Sequence, residues 1–77
     1  AVFHIHNREL WQKHLRRLPS TAEHAQYGTP AMAEEIRRLL SDESNIIRGV
    51  IVMAGHSEGI ISFGFDPEEA GQRILSL

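Results

Sequence analysis

Two histidines, His4 and His6, stand one residue apart in the stretch VFHIHN, and a third, His56, lies in GHSEG. Imidazole is the commonest protein ligand for zinc and related ions, and a catalytic zinc needs three protein ligands plus an open position. In a strand, side chains two residues apart leave the same face, roughly 7 Å apart along the chain. Two such rings can converge on one ion if the strand end lets the second swing inward. His56 is the candidate third ligand, with Gly55 and Gly59 near it to let the backbone bend and present the ring. The plainer reading of the same pair is a set of polar neighbours on a short strand. His14 and His24 are different: the first falls on the apolar stripe of a helix beside Trp11, the second in a polar loop. Glu58, next but one to His56, could orient an imidazole or act as an acid–base, but its plainer reading is a solvent-facing turn residue. Ser57 follows His56 without the G-x-S-x-G setting of a strained nucleophile. No G-x-G-x-x-G opens a helix, so a dinucleotide site is not expected.

These residues need elements to hold them. Residues 1–6 read as a strand, with Val2, His4 and His6 on one face. Asn7 is a cap for a helix whose stripe is Leu10, Trp11, His14, Leu15 and Leu18, and Pro19 is expected to stop it near Leu18. Residues 19–28 read as loop. Thr29 caps and Pro30 opens a helix that buries Met32, Ile36, Leu39 and Leu40, with Glu34 and Arg38 as an i,i+4 pair. SDESN reads as a turn. IIRGVIVMA then reads as a strand covered on both faces, and IISFGF as its hairpin partner, with His56 near the turn. Asp66, Pro67 and Glu69 form a capping-box start for the last helix. The expected order is β-α-α-β-β-α.

Composition bounds the partners. The 77 residues make a single domain, and a chain this short buries only about 60% of its unfolded surface. With no cysteine, disulfides and thiolate metal sites are excluded, which fits a reducing, cytoplasmic setting. Eight basic against ten acidic residues give a net charge of −2, so neither nucleic acid nor an anionic membrane is an expected partner. The pairs Arg16-Arg17 and Arg37-Arg38 read as solvated helix faces. No apolar run approaches the ~20 residues of a membrane span, and the start AVFHIH is not built like a signal peptide.

Taken in order, VFHIHN, YGTPAMAEEIRRLL, GVIVMAGHSEGIISFG and DPEEAGQRIL resemble the class II aldolase/adducin domain family over nearly the whole chain. That family has H-x-H at a strand end, a small-residue turn opening a helix, an apolar strand running into a histidine hairpin, and a closing E-E-A helix. The resemblance implies a three-layer α/β/α fold around a mainly antiparallel sheet, here a partial domain over residues 1–77. It implies a divalent metal, zinc first among them, held by His4, His6 and His56. Enzymes of the family are aldolases (carbon–carbon lyases), epimerases or dehydratases acting on small sugar phosphates and related hydroxy-carbonyl compounds. There the metal polarises substrate oxygens and stabilises an enediolate. Many are homo-oligomers, and adducin-like members keep the fold without the metal chemistry.

The departures define a second expectation. Only Ala1, Val2 and Phe3 precede His4, so the family's upstream phosphate-binding region and acidic residue have no counterpart in these residues. The segment between H-x-H and YGTP is short, and Tyr27 matches the aromatic beside the turn rather than the family's catalytic tyrosine. The hairpin reads GHSEG where N-H-G is common. The chain is therefore expected to be the C-terminal half of such a domain. It would carry a metal triad but no identified catalytic residue, and would be either an enzyme's metal-binding part or a non-catalytic interaction domain.

Overall fold

The computed structural model describes all 77 residues. Strand β1 (Val2–His6) leads into helix α1 (Arg8–His14), followed by α2 (Pro30–Leu40), α3 (Glu43–Arg48), strands β2 (Val50–Val52) and β3 (Gly59–Phe63), and α4 (Pro67–Leu75). The three strands form one antiparallel sheet in the order β1-β3-β2. The coarse expectation of an α/β domain with an antiparallel sheet holds. No helix is long and apolar enough to cross a membrane.

The register decides what each face of the sheet carries. His4 is opposite Ile61 and His6 opposite Gly59, so the histidines share a face with Ile61 and Ile51. On that side Met32 of α2, Ala25 and Met53 form a buried cluster, with Ala31, Ile36 and Ile61 packed against it. The other face carries Phe3, Ile60 and Ser62 and is covered by α4. There the Ser62 hydroxyl donates to the Ala70 carbonyl at 2.8 Å, and the Phe3 ring lies against Gly71. All three residues of β2 are buried, as expected of an apolar run covered on both sides.

Two elements differ from expectation. Residues 43–48 are a helix, not a turn and the head of a strand. Asp42 caps it by accepting from the Ser44 backbone N–H at 3.0 Å, and Gly49 ends it at φ +73, its N–H returning to the Asn45 carbonyl. Ile46 and Ile47 therefore leave the sheet and stand exposed on α3. Helix α1 stops at His14, four residues short of Leu18. Its end is set by Arg16, which takes a left-handed φ of +65 and gives its backbone N–H to the Ser20 hydroxyl, before Pro19 can act. On α2 the ion pairs are i,i+3 rather than i,i+4: Arg37 with Glu34 and Arg38 with Glu35. Asp66 caps α4 as expected, while the Glu69 carboxylate turns to Arg73 instead of completing the box.

The segment 15–29 has no regular structure of its own but is pinned along its length. Val52 donates to the Pro19 carbonyl at 2.8 Å, and Thr21 donates to the Val52 carbonyl at 2.9 Å, so residues 19–21 add a short parallel bridge to the outer edge of β2. The Thr21 hydroxyl accepts from the Ala54 N–H at 3.1 Å. Glu35 of α2 accepts from the Ala22 N–H at 2.6 Å. Ala25 is fully buried.

Candidate metal centre

His4 and His6 project from the last turn of the β1 pleat, where the chain passes through Asn7 into α1. Asn7 serves both sides of that junction. Its side chain accepts from the Leu10 N–H at 3.0 Å to cap α1, and its own N–H donates to the Glu58 carbonyl at 2.9 Å. That second bond ties the end of β1 to the hairpin carrying His56.

The hairpin tip is held from within and from behind. Met53 donates to the Gly59 carbonyl, His56 to the Met53 carbonyl, and Gly59 to the His56 carbonyl. From α1, the Trp11 indole N–H reaches the Met53 carbonyl at 3.0 Å. The glycines act otherwise than by bending the chain. The left-handed residue of this turn is Glu58, at φ +69. Gly59 supplies space: a Cβ there would sit 2.5 Å from His56 Cδ2. Because Gly59 is also the cross-strand partner of His6, its missing side chain leaves the gap across which the two imidazoles meet. Gly55 supplies space on the other side, where a Cβ would overlap the Ala25 carbonyl oxygen.

The result is one cluster of three rings. Centroids are 5.0 Å apart for His4–His6, 5.2 Å for His4–His56 and 4.7 Å for His6–His56. One donor nitrogen from each ring falls within 4.8 Å of the others. The His6 and His56 Nε2 atoms are 3.2 Å apart. Two nitrogens held 2.0–2.1 Å from one zinc at the tetrahedral angle stand about 3.3 Å apart, so this pair has the spacing of an edge of that site. His4 is the ligand that must close in, its ring lying partly open to solvent beside those of His6, His56 and Tyr27. Burial and then the neighbouring charges of His6 and His56 hold its pKa below the ordinary value, which favours the neutral, ligating form. Three imidazoles without thiolate or carboxylate suit zinc and other late first-row divalent ions.

His14 and His24 stay outside the cluster. His14 closes α1 with a buried Nε2 that has no hydrogen-bond partner, and His24 is exposed in the loop. Ser57 is exposed as well. A fourth ring joins the three: Tyr27 stacks on His56 at 4.5 Å with planes 22° apart and lies 5.2 Å from His4. Nothing in the spacing of YGTP marked it as a neighbour of the site, because only the course of the pinned 19–28 segment brings it there.

No family model, characterised protein or solved structure matches the chain. The triad therefore stands on its own geometry and on the residue pattern.

Proposed function

We propose that these residues are the metal-binding part of a zinc-dependent lyase of the class II aldolase type, acting on a small sugar phosphate or related hydroxy-carbonyl compound. The observation that carries this reading is the convergence of His4, His6 and His56 from a strand end and a hairpin tip 50 residues apart. A divalent ion there supplies Lewis-acid polarisation of a substrate carbonyl or hydroxyl oxygen. The chain's own part would be to offer three imidazoles from a strand end and a hairpin tip, with His4 and His6 open to solvent and so to a substrate.

One observation favours the alternative, a metal-binding or interaction domain without turnover of its own. The ligand cluster contains no carboxylate, and breaking a carbon–carbon bond through an enediolate needs a group to move the proton. Self-association belongs to either reading: β1 is an edge strand with its outer side unpaired, whereas the outer edge of β2 is covered by residues 19–21.

The test is metal content after purification without a histidine tag, joined to a ketose 1-phosphate cleavage assay with and without added zinc. We expect one zinc per chain in the wild type, lost in His4→Ala and His56→Ala, with little cleavage by this chain alone. Zinc-free protein that takes up none on titration would reject the metal reading. Zinc-dependent cleavage would reject the non-catalytic alternative.

A further inference from the structure

Tyr27 has more than half of its surface, 58%, in water. A ring so exposed contributes little to the core, yet its placement is built with care. Ala22 is tied to Glu35, Thr21 to Ala54, and Ala25 is buried against the glycine beside the hairpin tip. The Thr29 hydroxyl then closes the segment by donating to the Gln26 carbonyl at 2.6 Å. Between these anchors the backbone carries Tyr27 to the face of His56, where its ring stacks.

Histidines that hold a metal are usually oriented by a carboxylate or carbonyl on the ring nitrogen that does not ligate. The His56 ring has no such partner; its one ring hydrogen bond is the contact with His6. The ring that lies nearly parallel to its plane is Tyr27, while His4 and His6 meet it at steep angles and Gly59 leaves it room beside Cδ2. Nearly parallel rings at this separation are in the favourable offset-stacking range.

We propose that Tyr27 is a positioning residue of the metal site, clamping the His56 imidazole so that its Nε2 faces His6. This rests on the metal-site reading of the triad. The ring does the clamping, so the hydroxyl is dispensable and phenylalanine replaces tyrosine without loss.

The experiment compares wild type with Tyr27→Phe and Tyr27→Ala in two ways. In the metal-free protein, NMR reads the His56 ring protons, which the stacked ring shifts upfield in wild type and Tyr27→Phe but not in Tyr27→Ala. In the loaded protein, Co²⁺ titration reads affinity and the ligand-field spectrum. Tyr27→Ala is expected to bind about tenfold more weakly with an altered visible band, the loss typical when a ligand's orienting partner is removed, and Tyr27→Phe within about twofold of wild type. Wild-type affinity and spectrum in Tyr27→Ala overturn the proposal while leaving the triad intact. So does a Tyr27→Phe variant as weak as Tyr27→Ala. A wild type that binds no Co²⁺ overturns the metal reading, and the proposal with it.

Discussion

The missing Cβ of Gly59 sets where the His56 ring can lie. A methyl group at that position would press on His56 Cδ2 and on the hairpin backbone, 3.0 Å from the His56 carbonyl oxygen. The imidazole must turn away, which takes its Nε2 from its place opposite His6, where a bound ion would need it. Gly59→Ala is therefore expected to weaken zinc binding about tenfold or more while the sheet survives, since the position keeps an ordinary backbone conformation. Isothermal titration beside a circular-dichroism spectrum separates the two effects; unchanged affinity would show that the ring has another way to reach the ion. At His14, burial, then the charges of Lys13 and Arg17, holds the pKa below the ordinary value. A histidine with a depressed folded pKa binds fewer protons than the unfolded chain does. Its contribution to stability is present above the unfolded pKa and fades as pH falls through that value towards the folded one. The melting temperature of the metal-free protein is thus expected to fall on acidification from neutral pH. His14→Leu, which removes both the titration and the unpartnered Nε2, should flatten that fall.

At the scale of elements, the parts that follow local rules were legible in the residues and the parts that depend on distant partners were not. Thr29-Pro30 and Asp66-Pro67 open helices where their chemistry says they should. VIVM and IISF pair as the apolar hairpin they resemble. Ile46 and Ile47 misled because β-branched residues beside a valine run read as strand, while the Asp42 cap and the left-handed Gly49 that bracket them as a helix act over only one turn. The site divides the same way. H-x-H and a histidine in a hairpin are visible as a pattern, but Tyr27 and the vacancy at Gly55 matter only once residues 19–28 are pinned beside the hairpin, and the vacancy at Gly59 only once β1 pairs with β3. Arg73 shows how a long-range clamp replaces local rules. From α4 its guanidinium donates to the Phe63 carbonyl and, at 3.1 Å, to the Ile47 carbonyl, and it pairs with Glu69 at 2.8 Å. One side chain thus ties α4 to the ends of β3 and α3. Charge-assisted bonds to backbone carbonyls are worth more than a surface ion pair, so Arg73→Met, which keeps most of the stem, is expected to cost about 2 kcal/mol. Urea denaturation should show the midpoint falling with little change in slope. A cost no larger than that of Glu69→Gln would mean the carbonyl bonds contribute nothing beyond the half-buried ion pair.

For the whole molecule the question is what holds so small a core together. Thirteen of 77 residues are buried, and the fully buried side chains of the sheet are Ile51, Val52, Ile60 and Ser62, from β2 and β3 alone. Strand β1 is the least buried member, although it pairs with β3 along its whole length. Val2 is largely exposed, Phe3 and Ile5 are its only inward apolar side chains, and its outer edge is unpaired. His4 and His6 lie on that strand and His56 on the hairpin that β3 completes, so an ion bound to all three would fasten the edge strand to the centre of the sheet. Binding that is confined to the folded state adds RT ln(1 + [L]/Kd), about 2.7 kcal/mol at a free ion concentration one hundred times Kd. For a domain of this size each kcal/mol moves the melting temperature by about 4–8 °C. Saturating zinc is thus expected to raise the midpoint by about 10–20 °C. Hydrogen exchange should slow first at the amides that β1 shares with β3. His56→Ala should lose most of both effects while keeping its metal-free midpoint close to wild type, because the half-buried ring contributes little packing of its own. If zinc raised the midpoint equally in that variant, the ion would be acting elsewhere, and the stitching of β1 to the hairpin would have to be given up.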